Sequence, residues 1–252
     1  MPRDVRKSSE SGIYHIMLRG INRQDIFADE EDIQRLIETI IRFKDVSKYE
    51  LFAYCIMSNH VHFLIRESGE PISNAIKRIS SSYVYWYNKK YERCGHLFQE
   101  RFKSEAVNSD EYFLTVLRYI HQNPIKAGMS KDIAKYKWSS YIEYIEKATL
   151  TDTDFALNIF SQDRKTAIDL FDKFNNQNNN DICLEYDDKV IVSDNDLKEL
   201  ILLLGIRNIT ELHKLEKIKR NEILKKLKSI NRVTVRQLSR FTGISKSVIH
   251  RA

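Results

Sequence analysis

The chain has 252 residues, of which 30% are charged and 42% are hydrophobic, a balance typical of globular proteins. Only 7 Gly and 3 Pro are present, which excludes collagen-like and low-complexity folds. No apolar run approaches the ~20 residues that span a bilayer, and the polar first twelve residues are unlike a signal peptide. The three cysteines, Cys55, Cys94 and Cys183, form neither a zinc motif nor a disulfide framework. We therefore expect a protein of a reduced, cytoplasmic setting without membrane contact.

The net charge of +6 is unevenly distributed along the chain. Residues 1–150 carry a net charge of +3 and residues 151–200 a net charge of −7. Residues 201–252 contain 13 Lys and Arg against 3 Asp and Glu, a net charge of +10. A basic block of this density is typical of proteins that bind a polyanion, although a solvated basic helix without a partner is the alternative.

Strand and helix signals alternate along the first half. Residues 13–18 and the two apolar runs within 51–66 predict strands, with a tight turn at Ser58–Asn59 because Asn tolerates positive φ. Apolar residues recur at helical spacing over 29–48 and 73–93, and Asp29 is a candidate N-cap. Residues 98–107 predict another strand. Ser109 is placed to cap a helix over 110–122, which Asn123–Pro124 ends.

The character of the chain changes after residue 150. Residues 175–181 have the sequence NNQNNND, which offers no core-forming side chain and predicts a linker. From residue 193 onward, five short segments have helical periodicity. The sequence thus predicts a first domain at 1–150, an acidic, Asn-rich linker at 151–192 and an all-helical module at 193–252.

The triplet His60-Val61-His62 carries the first candidate chemistry. Side chains alternate along a strand, so His60 and His62 point to one face while Val61 points to the other. Two imidazoles on one face can chelate a divalent ion. The alternative is a polar sheet face without a metal.

A third ligand is available on the predicted helix that follows. Tyr119 and Asn123 are four residues apart and share a face, and the amide oxygen of Asn123 suits Mg²⁺ or Mn²⁺. Gln122 lies near that face and is an alternative ligand, whereas His121 points roughly to the opposite side. On spacing alone, Tyr119 is more simply explained as a core aromatic residue.

Several blocks of the sequence, taken together, resemble a known family. They are YHIMLRGINRQDIF at 14–27, NHVH at 59–62, HLFQERFKS at 96–104, RYIHQNPIKAG at 118–128 and YKWSSY at 136–141. In this order they resemble the insertion-sequence transposases that have an HUH motif and a single tyrosine. The similarity is greatest to the branch associated with repetitive extragenic palindromes (REP), and it covers roughly residues 10–145.

The resemblance implies an α+β fold, an antiparallel sheet with helices packed on it, of the ferredoxin-like or RNA-recognition-motif kind. It implies that Tyr119 attacks a phosphate of single-stranded or hairpin DNA and forms a 5′-phosphotyrosine. It also implies that His60, His62 and Asn123 hold Mg²⁺ or Mn²⁺. A nucleoid-associated protein, acting as a monomer or a homodimer, is expected.

Basic residues beside these blocks are candidates for DNA contacts. In the first domain the candidates are the basic residues Arg19, Arg23, Lys77, Arg78, Arg101 and Lys103, together with the polar Asn22. Near the C-terminus, residues 235–241, a turn containing Gly243 and residues 245–251 resemble a helix-turn-helix, with Lys246, Ser247 and Arg251 facing a DNA groove. A catalytically inactive DNA-binding regulator that uses this tail is the alternative function.

Overall fold

The apolar alternation of the first half produces four strands, β1 (Ile13–Arg19), β2 (Glu50–Met57), β3 (His60–Arg66) and β4 (Lys103–Ala106). They form one sheet in the order β2-β3-β1-β4, in which every neighbouring pair is antiparallel. The helices are α1 (Glu30–Ser47), α2 (Ile72–Lys90), α3 (Asp110–Lys126), α4 (Tyr141–Ile145), α5 (Thr153–Phe160), α6 (Arg164–Asn175), α7 (Asp194–Leu203), α8 (Ile209–Lys214), α9 (Lys217–Ser229), α10 (Val235–Thr242) and α11 (Lys246–Arg251).

This computed structural model describes residues 8–184, 194–206, 208–230 and 233–252. The chain divides into two units, at 1–186 and 187–252. The predicted α+β class and the helical C-terminal region are confirmed. No helix in the described ranges is both long enough and apolar enough to cross a membrane.

Each face of the sheet is covered by its own helices. Ile16, Phe63 and Val61 belong to a core that includes apolar residues of α1 and α2. Leu64 and Cys55 belong to a second core, which includes residues of α3, α4, α5 and α6. Since the two strand faces alternate in sequence, the histidines of β3 fall on the α3 side.

The predicted caps of the two long helices around the sheet are present. Asp29 accepts a hydrogen bond from the Asp32 backbone and Asp32 bonds back to the cap, which forms a capping box for α1. Ser109 accepts from the Tyr112 backbone and begins α3. These side chains satisfy backbone N–H groups that a helix leaves without partners in its first turn.

The end of α3 was predicted wrongly. The helix continues through Asn123 and Pro124 to Lys126, and Gly128 then takes a left-handed conformation at φ 69°. Proline removes one backbone donor, which a helix tolerates near its end. The Asn123 side chain donates to the Tyr119 carbonyl at 3.1 Å and so supports this last turn.

Two other local expectations differ from the structure. The turn between β2 and β3 lies at Ser58–Asn59 as predicted, but Asn59 does not have a positive φ. Instead, the Ser58 carbonyl accepts from Ile26 and Phe27, and the Asn59 carbonyl accepts from Gly20. The strand predicted over 98–107 is limited to β4, with an isolated bridge between Phe98 and Gly20.

Residues 151–184 are part of the first unit, whereas a linker was predicted from residue 151. Helices α5 and α6 bury Leu157 and Phe171 in the core beside α3. The polar tract 175–181 follows α6 and is hydrogen-bonded to α3, where Arg118 forms an ion pair with Asp181. Amide side chains here form hydrogen bonds to a helix in place of apolar contacts, a possibility that composition does not reveal. The rest of the predicted linker, 185–192, lies outside the described residues.

The five helices predicted for the tail are present in the second unit as α7 to α11. Their core contains Leu224, Leu238 and Ile249, all fully buried. Between α10 and α11, Gly243 takes φ 74°, a left-handed conformation that glycine adopts without strain. Lys228 of α9 donates to the His250 carbonyl at 3.2 Å, which stabilises the end of the short α11.

Candidate metal and nucleophile site

His60 and His62 lie on β3 and face α3, as strand alternation predicts. His60 is paired with Arg19 of β1 and His62 with Met17. The centroids of the two imidazole rings are 5.1 Å apart. The structure therefore places two potential ligand nitrogens side by side.

The environment keeps both imidazoles uncharged at neutral pH. Burial, with the neighbouring Arg19 charge as a smaller cause, lowers the pKa of His60 to about 4. Burial lowers the pKa of His62 well below its usual range, and the charges of His60, His15 and Arg19 add to the effect. Neutral imidazole is the form that binds a metal ion.

Tyr119 on α3 lies against the histidines of the sheet. The centroid of its ring is 5.9 Å from that of His62 and 5.8 Å from that of His15, in edge-on arrangements. The Nζ of Lys126 is 5.1 Å from the centre of the Tyr119 ring. The Tyr119 side chain is 2% exposed. Residues distant in sequence thus bring a phenol, two imidazoles and an ammonium group together.

Asn123 has an amide oxygen to offer, and Gln122 does not. The Asn123 amide nitrogen donates to the Tyr119 carbonyl, and its oxygen accepts no hydrogen bond from the described residues. Gln122 donates to the carbonyls of Asn175 at 2.6 Å and Gln177 at 2.9 Å, and its oxygen accepts from Asn179. Gln122 is therefore turned toward the polar tract and away from a ligand role.

The donors present fit a hard divalent cation. Imidazole nitrogens and amide oxygens are ligand types that bind Mn²⁺ or Mg²⁺. In the described ranges, no group of three His, Cys, Asp or Glu side chains is arranged to hold a metal. A metal site at this place would therefore need the amide oxygen of Asn123 as a ligand in addition to the two histidines.

His15 belongs to this site and was missed at the sequence level. It lies on β1, is fully buried, and its Nε2 is 2.9 Å from Nδ1 of His62. Burial lowers its pKa to about 3. The signal available in the sequence was a histidine within the apolar run 13–18, on the same strand face as Met17. Strand alternation alone did not show which strand is the neighbour of β3.

The predicted DNA-contact residues of the first unit fall into two groups. Arg19, Asn22 and Arg23 lie beside the turn that carries His60, and Asn59 donates to the Arg23 carbonyl at 3.2 Å. Lys103 lies on β4 opposite Met17, on the face of the histidines, and the exposed Arg101 precedes it.

The second group is distant from the histidines. Lys77 and Arg78 are on α2, which packs on the opposite face of the sheet. Arg78 forms an ion pair with Glu70 and donates to Ser47. The structure does not bring these two residues to the candidate site.

In the second unit, Lys246, Ser247 and Arg251 are exposed on α11. The α10–turn–α11 arrangement buries Leu238 and Ile249 and leaves these polar side chains on the surface. The assignment as a helix-turn-helix and a role in DNA binding both stay predictions.

A family model described as "Transposase IS200 like" matches residues 8–123. The resemblance predicted from the motifs is confirmed. Within the matched region lie His60, His62, Tyr119 and Asn123.

Two curated relatives and one solved structure are similar to the chain. A REP-associated tyrosine transposase of Escherichia coli (strain K12) is 23% identical over 112 residues, which cover 43% of this chain and 64% of the relative. A putative REP-associated tyrosine transposase of Haemophilus influenzae is 26% identical over 105 residues, which cover 37% of this chain and 59% of the relative. The chain thus spans about three fifths of the length of each relative.

The solved structure is of a REP-associated tyrosine transposase bound to a REP hairpin. It has a TM-score of 0.52 and 19% identity, and the match covers 61% of this chain and 96% of that one. At this identity the likeness shows the fold, which is that of the first unit and its antiparallel sheet.

Proposed function

We propose that the first unit cleaves single-stranded or hairpin DNA through Tyr119, in the manner of a REP-associated tyrosine transposase. The observation that carries this proposal is the position of the Tyr119 ring, 5.9 Å from the His62 ring across the gap between α3 and β3. The family match to residues 8–123 supports it. The hairpin bound to the similar solved structure supports the choice of substrate.

In the proposed reaction, the Tyr119 hydroxyl attacks a backbone phosphorus and forms a tyrosine–phosphate ester with the 5′ side of the break. The bond from phosphorus to the 3′ oxygen breaks, and that oxygen leaves and takes up a proton, while the phenol loses its own to solvent. The ester retains the free energy of the broken bond, so rejoining needs no nucleotide hydrolysis. Because Tyr119 is 2% exposed, a strand has to displace neighbouring side chains to reach it.

His60, His62 and Asn123 would hold Mg²⁺ or Mn²⁺, and such an ion would polarise the phosphate and offset its charge. The chain's own residues prepare the site: burial keeps the imidazoles neutral, and the hydrogen bond that the Asn123 side-chain nitrogen donates to the Tyr119 carbonyl orients Asn123. Lys126 and Arg19 add positive charge where a phosphate approaches. Arg23, beside the turn at Ser58–Asn59, and Lys103, on β4 opposite Met17, add further basic groups.

A gel assay tests the nucleophile and the cation. The protein is incubated with an end-labelled hairpin oligonucleotide and Mg²⁺ or Mn²⁺, and covalent adducts are separated on a denaturing gel. We expect an adduct with the wild type, none with Tyr119→Phe and none with EDTA. Tyr85→Phe is the matched control, since Tyr85 is 75% exposed on α2, and it should form the adduct.

Contrary results would distinguish the alternatives. An adduct that survives Tyr119→Phe would exclude this nucleophile, and cleavage in EDTA would exclude the cation. A hairpin that is bound but never cleaved, under any divalent cation, would favour a DNA-binding regulator.

We further propose that the second unit binds duplex DNA through α11. Three features support this: the α10–turn–α11 geometry, the exposed Lys246, Ser247 and Arg251, and the net charge of +10 over 201–252. A helix that follows a short turn and presents basic side chains is the element that helix-turn-helix proteins place in the major groove.

A further inference from the structure

The hydrogen bonds of His15 are incomplete in a way that points to a role. Its Nε2 meets Nδ1 of His62 at 2.9 Å, but its own Nδ1 is buried without a hydrogen-bond partner in the part of the chain that the structure describes. A buried polar atom without a partner costs free energy, about 1–3 kcal/mol, so it calls for a reason. Shape filling alone would be served by an apolar side chain.

His60 shows how a hydrogen bond to Nδ1 determines which ring nitrogen carries the proton. Nδ1 of His60 lies 2.6 Å from the Oδ1 of Asn59. An amide oxygen only accepts, so the proton of His60 is on Nδ1 and the lone pair is on Nε2. The Nδ2 of Asn59 donates to the Arg23 carbonyl, which fixes this orientation of the amide.

An equivalent arrangement for His62 requires Nε2 of His15 to accept a hydrogen bond from Nδ1 of His62. If His62 carries its proton on Nδ1 and donates it to Nε2 of His15, then the Nε2 of His62 has the lone pair. His15 then carries its own proton on Nδ1, the atom that lacks a partner.

Glu105 is placed to receive that second hydrogen bond. It is paired with His15 in the β1–β4 register, and paired side chains of antiparallel strands share a face. Its Oε2 is also buried without a hydrogen-bond partner among the described residues, and burial together with this carboxyl group raises the pKa of Tyr112. The two buried atoms thus belong to neighbouring side chains, and with the proton of His15 on Nδ1 one would donate and the other accept.

We infer that His15 is a positioning residue which, backed by Glu105, holds His62 in the tautomer and ring orientation that leave Nε2 free to bind a divalent cation. The inference rests on the proposed function, because it assigns His62 a metal. It extends to the second histidine the arrangement seen at His60. In metal sites, a partner of this kind raises the basicity of the ligand and limits rotation of its ring.

A nitrogen-15 NMR measurement on the metal-free, full-length wild type tests the tautomer. Long-range couplings from the ring protons of His62 report which nitrogen carries the proton. We expect the proton on Nδ1 of His62 and on Nδ1 of His15. A proton on Nε2 of His62 would overturn the inference, because His15 would then be the donor and His62 would have no lone pair on Nε2.

Two variants test the consequence for the cation. His15→Leu removes the acceptor, and we expect its Mn²⁺ affinity, measured by calorimetry, to fall about 10- to 100-fold. His15→Gln keeps an oxygen that accepts from His62 and should retain an affinity closer to that of the wild type. Equal affinities for all three proteins would overturn the inference. Thermal unfolding without metal shows whether each variant folds. If His15→Leu does not fold, the NMR measurement of the His62 tautomer in the wild type tests the inference by itself.

The same experiments separate this inference from the proposed function. A wild type that binds no Mn²⁺ and forms no adduct contradicts the proposed function. A wild type that does both, together with a His15→Leu variant that binds Mn²⁺ equally well, contradicts only the role of His15.

Discussion

Burial lowers the pKa of four histidines in the described part of the first unit: His15, His60, His62 and His121. Three of them surround the face of α3 that carries Tyr119. His121, also on α3, faces the other way and is hydrogen-bonded to Asn175 at 3.1 Å and Ser140 at 2.8 Å. One helix therefore presents the proposed nucleophile on one face and, on the other, a buried histidine that is hydrogen-bonded within the core.

His121 makes the stability of the first unit depend on pH. Burial lowers its pKa to about 4, so between pH 6.5 and 4 the unfolded chain takes up a proton that the folded one does not. The contribution of His121 to the free energy of unfolding is fully present above pH 6.5. It is lost as the pH falls toward 4, a loss of about 3 kcal/mol for this one group. Urea unfolding at pH 7 and 4.5 should show a smaller loss for His121→Gln than for the wild type.

His96→Gln is the control for this experiment, because the side chain of His96 is exposed. It should lose as much stability as the wild type between the two pH values. If His121→Gln lost as much as the wild type, His121 would not be a neutral core residue.

The two neighbouring amides of α3 allow a matched test of the third ligand. Asn123→Ala should lower Mn²⁺ affinity and adduct formation about 10- to 100-fold or more, since even indirect partners of a metal cost that much. Gln122→Ala should keep the affinity of the wild type, because this amide is bonded to the tract 175–181. Calorimetry with Mn²⁺ and the gel assay measure both. Affinity lost in Gln122→Ala and kept in Asn123→Ala would reverse the assignment.

At the scale of elements, sequence reasoning succeeded where a local rule decides the outcome. Caps at Asp29 and Ser109 begin α1 and α3, and alternation sets the faces of β3. It failed where partners distant in sequence decide. The turn at Asn59 is held by backbone hydrogen bonds from Gly20 and Ile26. Within the segment 98–107, only the four residues Lys103–Ala106 form the β4 strand that pairs with β1.

The same distinction between local patterns and distant partners applies to the candidate site. His60 and His62 follow from alternation, and the pairing of Tyr119 with them came from the family resemblance. The contact of His15 with His62 depends on which strand neighbours β3. The choice of Asn123 over Gln122 as the amide ligand depends on the hydrogen bonds that hold Gln122 against residues 175–179. Both are properties of the assembled sheet and helix, so no local pattern revealed them.

The attachment of the tract 175–181 to α3 is the least expected contact, and it can be measured. Arg118 and Asp181 form two hydrogen bonds, at 2.8 and 3.0 Å, with 12% and 14% of their side chains exposed. Asp181→Ala leaves the guanidinium without its carboxylate, and we expect a loss of about 1.5–3 kcal/mol in the free energy of unfolding. Hydrogen exchange of residues 175–184 should become faster.

Glu38→Ala provides a comparison, because it breaks an exposed ion pair with Arg35. We expect it to cost less than ~0.5 kcal/mol. A tract that exchanges at the same rate in the wild type and in Asp181→Ala would show that this ion pair does not hold it.

At the scale of the whole molecule, charge and chemistry are divided between the two units. The catalytic candidates are all in the first, where residues 1–150 carry a net charge of +3. The basic excess is in the second, whose core is built from its own helices. This division suggests that cleavage and general affinity for DNA can be altered separately.

The salt dependence of duplex binding tests the role assigned to the second unit. Each phosphate contact adds about 0.9 to the slope of log affinity against log salt, so Lys246→Ala with Arg251→Ala should reduce that slope by about 1.8. Fluorescence anisotropy with a labelled duplex at several salt concentrations gives the slope. The double variant Lys198→Ala, Lys214→Ala removes the same charge from exposed positions of α7 and α8. If α11 contacts the phosphates, only the first variant changes the slope substantially. Equal changes in both would mean that the unit attracts DNA through its net charge rather than through a defined surface of α11.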